Sequence, residues 1–217
     1  MIRGSPVYQQ MFLFLGAARS EDYTRMNSTD CPSPHWSFEE FSEKLTVSDE
    51  CIKSLANQWT STQYAAIIDN MNRLTSFFRK QAGVCKGAIP AECPTPAVHI
   101  NGGLVCVSSE GRRFCKPMCN EGYDFSFLRT SRLYEECSNS TKHKWTTQYI
   151  GGHELAECNE STVQISGASS AYFPKGQDCW KTKSEQAMEK KIIKFFKDEL
   201  SANNIKGPFI HSCVLCG

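Results

Sequence analysis

The chain has no apolar run approaching the 18 or more residues that a membrane-spanning helix needs, so no transmembrane segment is read from it. An excess of either charge is missing too: 24 Lys and Arg against 23 Asp and Glu leave a formal net charge of +1. That balance gives no global attraction to nucleic acid, and no basic run with interleaved aromatics suggests a strand-binding groove. Nucleic acid is therefore not an expected partner. There is no G-x-S-x-G elbow, no Walker-type glycine loop and no spaced carboxylate pair, so no catalytic apparatus is legible. The expectation is a protein that is not an enzyme and uses no cofactor.

Cysteine, by contrast, is plentiful. The count is twelve, an even number, which argues for disulfides formed in an oxidising compartment and hence for a secreted, extracellular protein. N-glycosylation sequons at Asn27, Asn139 and Asn159 agree with that compartment. At the start of the chain, Arg3 precedes the apolar stretch Met11 to Ala18 (MFLFLGAA), whose Gly16-Ala17-Ala18 suits signal peptidase. Residues 1–18 are read as a signal peptide on this basis. The polar Tyr8, Gln9 and Gln10 suit the alternative of a fragment of a longer precursor.

The fold class expected is α+β in several segments. Residues 31–85 carry helical periodicity: Ser37 with Glu40 makes a capping box, and Phe38, Phe41 and Leu45 share a face. A second helix aligns Ile52, Leu55 and Trp59. A third starts at a possible capping box of Thr60 and Gln63, runs through Tyr64, Ile67, Ile68, Met71, Leu74 and Phe78, and stops at Gly83. Together they read as a small helical bundle, for which Cys51 paired with Cys85 is a reasonable staple; Cys31 is left without an assigned partner. After a short linker, KGAIP, the pattern changes to short extended runs at Ala97 to Ile100, Leu104 to Val107, Phe114, Tyr123 to Leu128 and Leu133 to Tyr134.

Within residues 93–158 the chain sets out, in order, Cys93, Pro94, Pro96, Asn101, Gly102, Cys119, Gly122, Tyr123, Cys137, Trp145 and Cys158. This segment resembles a sushi module, also called a complement control protein module. It departs from the family pattern in an added Cys106 and Cys115 and in a long stretch between Trp145 and Cys158. The resemblance implies a disulfide-stapled all-β module with a core Trp145 accompanied by Tyr123. It implies Cys93 bonded to Cys137 and Cys119 to Cys158, leaving Cys106 to pair with Cys115 across a turn at Gly111. Its functional implication is recognition of an extracellular protein partner.

Residues 159–217 hold one amphipathic helix at about 184–202, with Met188, Ile192, Phe195, Phe196 and Leu200 at helical spacing among Lys190, Lys191, Lys194 and Lys197. These lysines offer an anionic glycan or lipid headgroup a second mode of binding, although the commoner reading is a solvated helix face. Cys213-Val-Leu-Cys216 has redox C-x-x-C spacing, but no helix N-terminus follows it to lower the first thiol's pKa. Structural bridging is the expectation, with Cys179 a candidate partner for one of the two. Cys179, His211, Cys213 and Cys216 also offer a tetrahedral zinc set, against which the even cysteine count argues. His153-Glu154-Leu-Ala-Glu157 is half of a zinc-protease H-E-x-x-H, with Glu157 where the second His is required. His35, His99 and His143 are scattered. No metal is expected.

Overall fold

The computed structural model describes residues 37–55, 58–82, 85–149 and 152–217; the leader at 1–18, Asn27, Cys31 and His35 lie outside them. Two compact units divide the chain, residues 1–61 and 62–217. In the first, helix α1 (Phe38–Leu55) opens on a reciprocal cap: Ser37 N donates to Glu40 Oε2 at 2.9 Å, and Glu40 N donates to Ser37 Oγ at 3.2 Å. The two helices expected here are one. No Gly or Pro interrupts the run between Leu45 and Ile52, so nothing stops the helix; Trp59 lies beyond its end.

The second unit takes in nearly all of helix α2 (Ser61–Ala82), which begins directly after Thr60. None of its residues is buried, and Ile68, Met71, Leu74 and Phe78 are exposed, so its apolar stripe builds no bundle core.

The body of this unit is a four-stranded antiparallel sheet in the order β4-β2-β1-β6, from β1 (Gly102–Ser109), β2 (Arg112–Cys119), β4 (Glu135–Ser138) and β6 (Phe209–Cys216). A separate two-stranded ribbon joins β3 (Tyr123–Phe125) to β5 (Cys158–Glu160). The β1–β2 hairpin closes through Glu110 and Gly111, both at positive φ (48° and 72°), as a two-residue turn that matches strand twist. Ala97 to Ile100 contributes only a single bridge, Ala97 to Glu154, and Leu133 and Tyr134 precede β4.

Period-two alternation sorts the sheet's side chains onto two buried faces. Val105, Val107, Phe114, Met118 and Val214 point to one face, where Phe173, Ile192, Phe196, Leu200 and Ile205 cover them. Leu104, Cys106, Cys115 and Leu215 point to the other, under Cys93, Cys137, Trp145 and Leu155. With both faces covered and a partner on each edge, every residue of β1 is buried. The helical segment on this face begins after Asp178, whose side chain accepts from Lys181 N at 2.7 Å to cap the short helix α3 (Cys179–Ser184). The backbone turns extended at Glu185 before α4 (Gln186–Ala202), so the single helix expected at 184–202 is preceded by a separate short one.

Residues 93–158 therefore do not stand apart from 159–217. Central strand β1 is hydrogen-bonded to β6, and one of the sheet's two faces is covered by α4 and its flanks. Tyr123 and Trp145 belong to different clusters: Tyr123 packs near Cys119, Phe125 and Cys158, whereas Trp145 lies against the Cys93 and Cys137 side chains and donates from Nε1 to Pro94 O at 2.9 Å.

Five disulfides are present among the described residues. Cys93 bonds Cys137 and Cys119 bonds Cys158, the two pairs that the sushi resemblance implies, and Cys106 bonds Cys115, the pair expected from the two added cysteines. Cys179 bonds Cys216, tying the start of α3 to the end of β6. Cys85 bonds Cys213 across a sequence separation of 128 residues, which overturns the expected Cys51–Cys85 staple: β6 brings Cys213 to the chain leaving α2. Gly103 permits the Cys179–Cys216 bridge to lie against the sheet, because a Cβ there would meet Cys179 Sγ and stand 2.7 Å from Leu215 O.

Candidate functional site

An open groove of about 1050 Å³ runs between α4 and the 164–174 loop. Apolar walls come from Met118, Phe173, Ile192, Phe195 and Phe196, with Met188 toward one end. Phe196 is buried in the sheet's core, one helical residue away from Phe195, which is 53% exposed at the rim. Consecutive helix positions differ by about 100° in direction, so one phenylalanine anchors the helix while the next is presented to solvent.

The floor holds a cation. Lys116 alternates with Phe114 and Met118 on the inward side of β2 and is 2% exposed. Its Nζ donates to Glu199 Oε2 at 2.5 Å and to Ser170 Oγ at 2.8 Å. Burial pushes the ammonium below the usual lysine range, and the Glu199 carboxylate opposes that shift. Glu199 and Ser170 thus satisfy a cation that burial on an apolar floor would otherwise leave unpaired. Lys191 lies at the mouth with its ammonium 5.7 Å from the Phe195 ring centre.

The opposite wall is fastened by one carboxylate. Asp124 receives Tyr172 OH at 2.5 Å, Ser166 Oγ at 2.8 Å, and the backbone amides of Phe125, Ile165 and Ser166. Burial would raise its pKa, but hydrogen bonds from Tyr172, Ile165, Ser166 and Phe125 outweigh burial and hold the carboxyl below the ordinary aspartate range. Tyr172, through burial and its bond to Asp124, is pushed up to about 12. A second buried network holds the 129–135 segment, where Glu135 accepts from Arg129 at 2.9 Å and from Arg132 at 2.7 Å.

The residues singled out from sequence lie elsewhere. Asn139 is exposed in the turn after β4, and Asn159 is exposed on β5 with its Nδ2 donating to Ser126 Oγ at 2.9 Å. Cys213 and Cys216 are three apart on a strand, an odd spacing that sends them to opposite faces, and each is bonded to a different partner. They are not a vicinal redox couple. The same bonds remove the thiolates from the zinc set of Cys179, His211, Cys213 and Cys216. Sulfur atoms of Cys85, Cys106 and Cys213 lie within 4.8 Å of one another, yet all three are committed to disulfides. His153 is exposed, and Glu154 pairs with His99 Nε2 at 3.2 Å. Lys190, Lys191 and Lys194 are exposed on α4, with Lys194 bonded to Asp198 at 2.8 Å.

Lys116 and Glu199 went unread in the sequence. The available signal was the run Arg112-Arg113-Phe114-Cys115-Lys116-Pro117-Met118, in which a lysine occupies an inward position between two apolar residues. No protein-family model, no curated protein and no solved structure matches the chain.

Proposed function

We propose that the protein is a secreted, non-catalytic recognition protein whose groove beside α4 seats an apolar segment of an extracellular protein partner. The groove itself carries the reading: it is open along its rim, apolar along its walls and closed at its floor by a buried, hydrogen-bonded ion pair. An exposed phenylalanine beside a concave apolar surface is the kind of anchor that dominates binding energy at protein interfaces. Five disulfides suit an oxidising compartment, and no helix among the described residues is long and apolar enough to cross a membrane. Exposure of Asn139 and Asn159 suits their use as glycan acceptors. The disulfide pairs within 93–158 support a sushi-like element built into the larger sheet, and recognition is what that resemblance implies.

Selection from a displayed library of extracellular protein fragments tests the proposal. Fragments that bind the full chain should carry an apolar anchor and lose at least about tenfold in affinity to Phe195→Asp and to Met188→Asp, because each variant replaces an apolar contact with an uncompensated charge. Selected fragments that bind both variants as well as wild type would remove the groove from the interface and overturn the proposal.

A further inference from the structure

Strand register lines up three cysteines across the sheet. Cys115 of β2 and Cys213 of β6 stand on either side of Cys106 of β1, which is the Cα partner of both. All three side chains pack into the cluster that holds Leu104 and Leu215, and Cys85, outside the strands, packs against the same cluster. The sulfur atoms of Cys85, Cys106 and Cys213 lie within 4.8 Å of one another. Two disulfides, Cys85–Cys213 and Cys106–Cys115, are therefore neighbours. They differ in access. Cys106 and Cys115 are 1% and 0% exposed, whereas Cys85 and Cys213 are half-buried.

Disulfides exchange when a thiolate attacks a sulfur that it can reach, so a thiol in solution has access to the outer bond and not to the buried one. Opening the outer bond at Cys85 releases Cys213, whose sulfur already stands beside that of Cys106. Directly opposed residues of an antiparallel pair have Cα atoms about 4.5–5.5 Å apart, within the span that a disulfide bridges. Strands β1 and β6 can thus take a Cys106–Cys213 bond in their existing register. Cys106 has a partner on each neighbouring strand and can hold only one of them at a time.

We propose that this row is a thiol–disulfide relay, through which a small thiol of the glutathione class, acting on the outer bond, moves Cys106 from Cys115 to Cys213. The incoming thiolate bonds to the Cys85 sulfur as the Cys85–Cys213 bond breaks, leaving a mixed disulfide on Cys85 and a thiolate on Cys213. That thiolate bonds to the Cys106 sulfur as the Cys106–Cys115 bond breaks, and Cys115 takes up a proton. The number of disulfides is unchanged. The tie between Cys85 and β6 is lost while β1 and β6 become cross-linked, so the exchange frees the chain leaving α2 and staples the sheet. The relay is separate from the groove beside α4.

The test treats the native full chain with reduced glutathione, quenches with acid, unfolds and alkylates, and maps the peptides without reduction. Glutathione on Cys85, the alkyl label on Cys115 and a cross-linked Cys106–Cys213 peptide are expected. In Cys85→Ser, which frees Cys213 without added thiol, at least about a tenth of the molecules should carry the label on Cys115. Cys213→Ser lacks the attacking sulfur, so its label should stay on Cys85 with Cys106–Cys115 intact. The proposal is overturned if wild type keeps both bonds in glutathione, if its label falls on Cys213 with Cys106–Cys115 intact, or if Cys85→Ser is labelled at Cys213 alone. It is equally overturned if Cys213→Ser is labelled at Cys115, since Cys85 would then reach Cys106 without the strand register. New linkages to Cys93, Cys119 or Cys179 would also overturn it, because they mark general scrambling instead of a relay.

Discussion

The Asp124 carboxylate gathers Tyr172, Ser166 and the amides of Phe125 and Ile165, so the loop forming one wall of the groove is organised around a single acceptor. Replacing Asp124 with Asn keeps the shape but sets amide hydrogens against groups that already donate, at an expected cost of about 1–3 kcal/mol in urea denaturation at neutral pH. Because the folded carboxyl titrates below its unfolded value, its contribution is fully present above about pH 4 and is lost as pH falls through the lowered folded value. Wild type should therefore lose more stability than Asp124→Asn between pH 5 and pH 2. Equal slopes for the two proteins over that window would show that Asp124 is not the group that holds the wall.

The elements of the second unit depend on one another through β1, which has a neighbour on each edge and a packed layer on each face. Taking β6 away exposes the hydrogen-bonding edge of β1, and taking α4 away uncovers Val105, Val107, Phe114 and Met118. Residues 93–158 produced alone should fail to reach a cooperative fold, even with Cys93–Cys137, Cys106–Cys115 and Cys119–Cys158 all formed. Poorly dispersed amide resonances and a non-cooperative thermal transition are the expected signs. A well-dispersed spectrum from that fragment would mean that the module is self-sufficient and that β6 and α4 are additions to it.

For the whole molecule, the two terminal cysteines fix distant parts of the chain to the same strand: Cys213 holds Cys85 and Cys216 holds Cys179. Their bonds constrain the unfolded ensemble as well as the native one, so Cys213→Ser and Cys216→Ser should each cost about 2–5 kcal/mol. Alkylation and peptide mapping should then find the released thiol at Cys85 in the first variant and at Cys179 in the second. A released thiol at any other cysteine would contradict the connectivity, and insulin reductase activity lost in Cys213→Ser would contradict the non-catalytic reading.

Local chemistry was legible in the linear chain wherever its partners are close. The Ser37 and Glu40 cap, the Gly111 turn, the apolar spacing of α4 and the abundance of cysteine all act within a few residues or through composition, and each left its mark there. The extended run Leu104 to Val107 was also legible, an unbroken apolar stretch bounded by Gly103 and Ser108. Tertiary structure decided the rest. Only the folded chain places Cys213 beside Cys85, because that proximity depends on β6 crossing to the open edge of β1, and a cysteine's sequence carries no record of which strand will deliver its partner. The groove is likewise absent from any one segment: Lys116 comes from β2, Ser170, 54 residues on, from a single helical turn at Ser169–Ala171, and Glu199, 83 residues on, from α4. Periodicity can say that α2 has an apolar face, but burial depends on what else is near, and none of that helix's residues is buried.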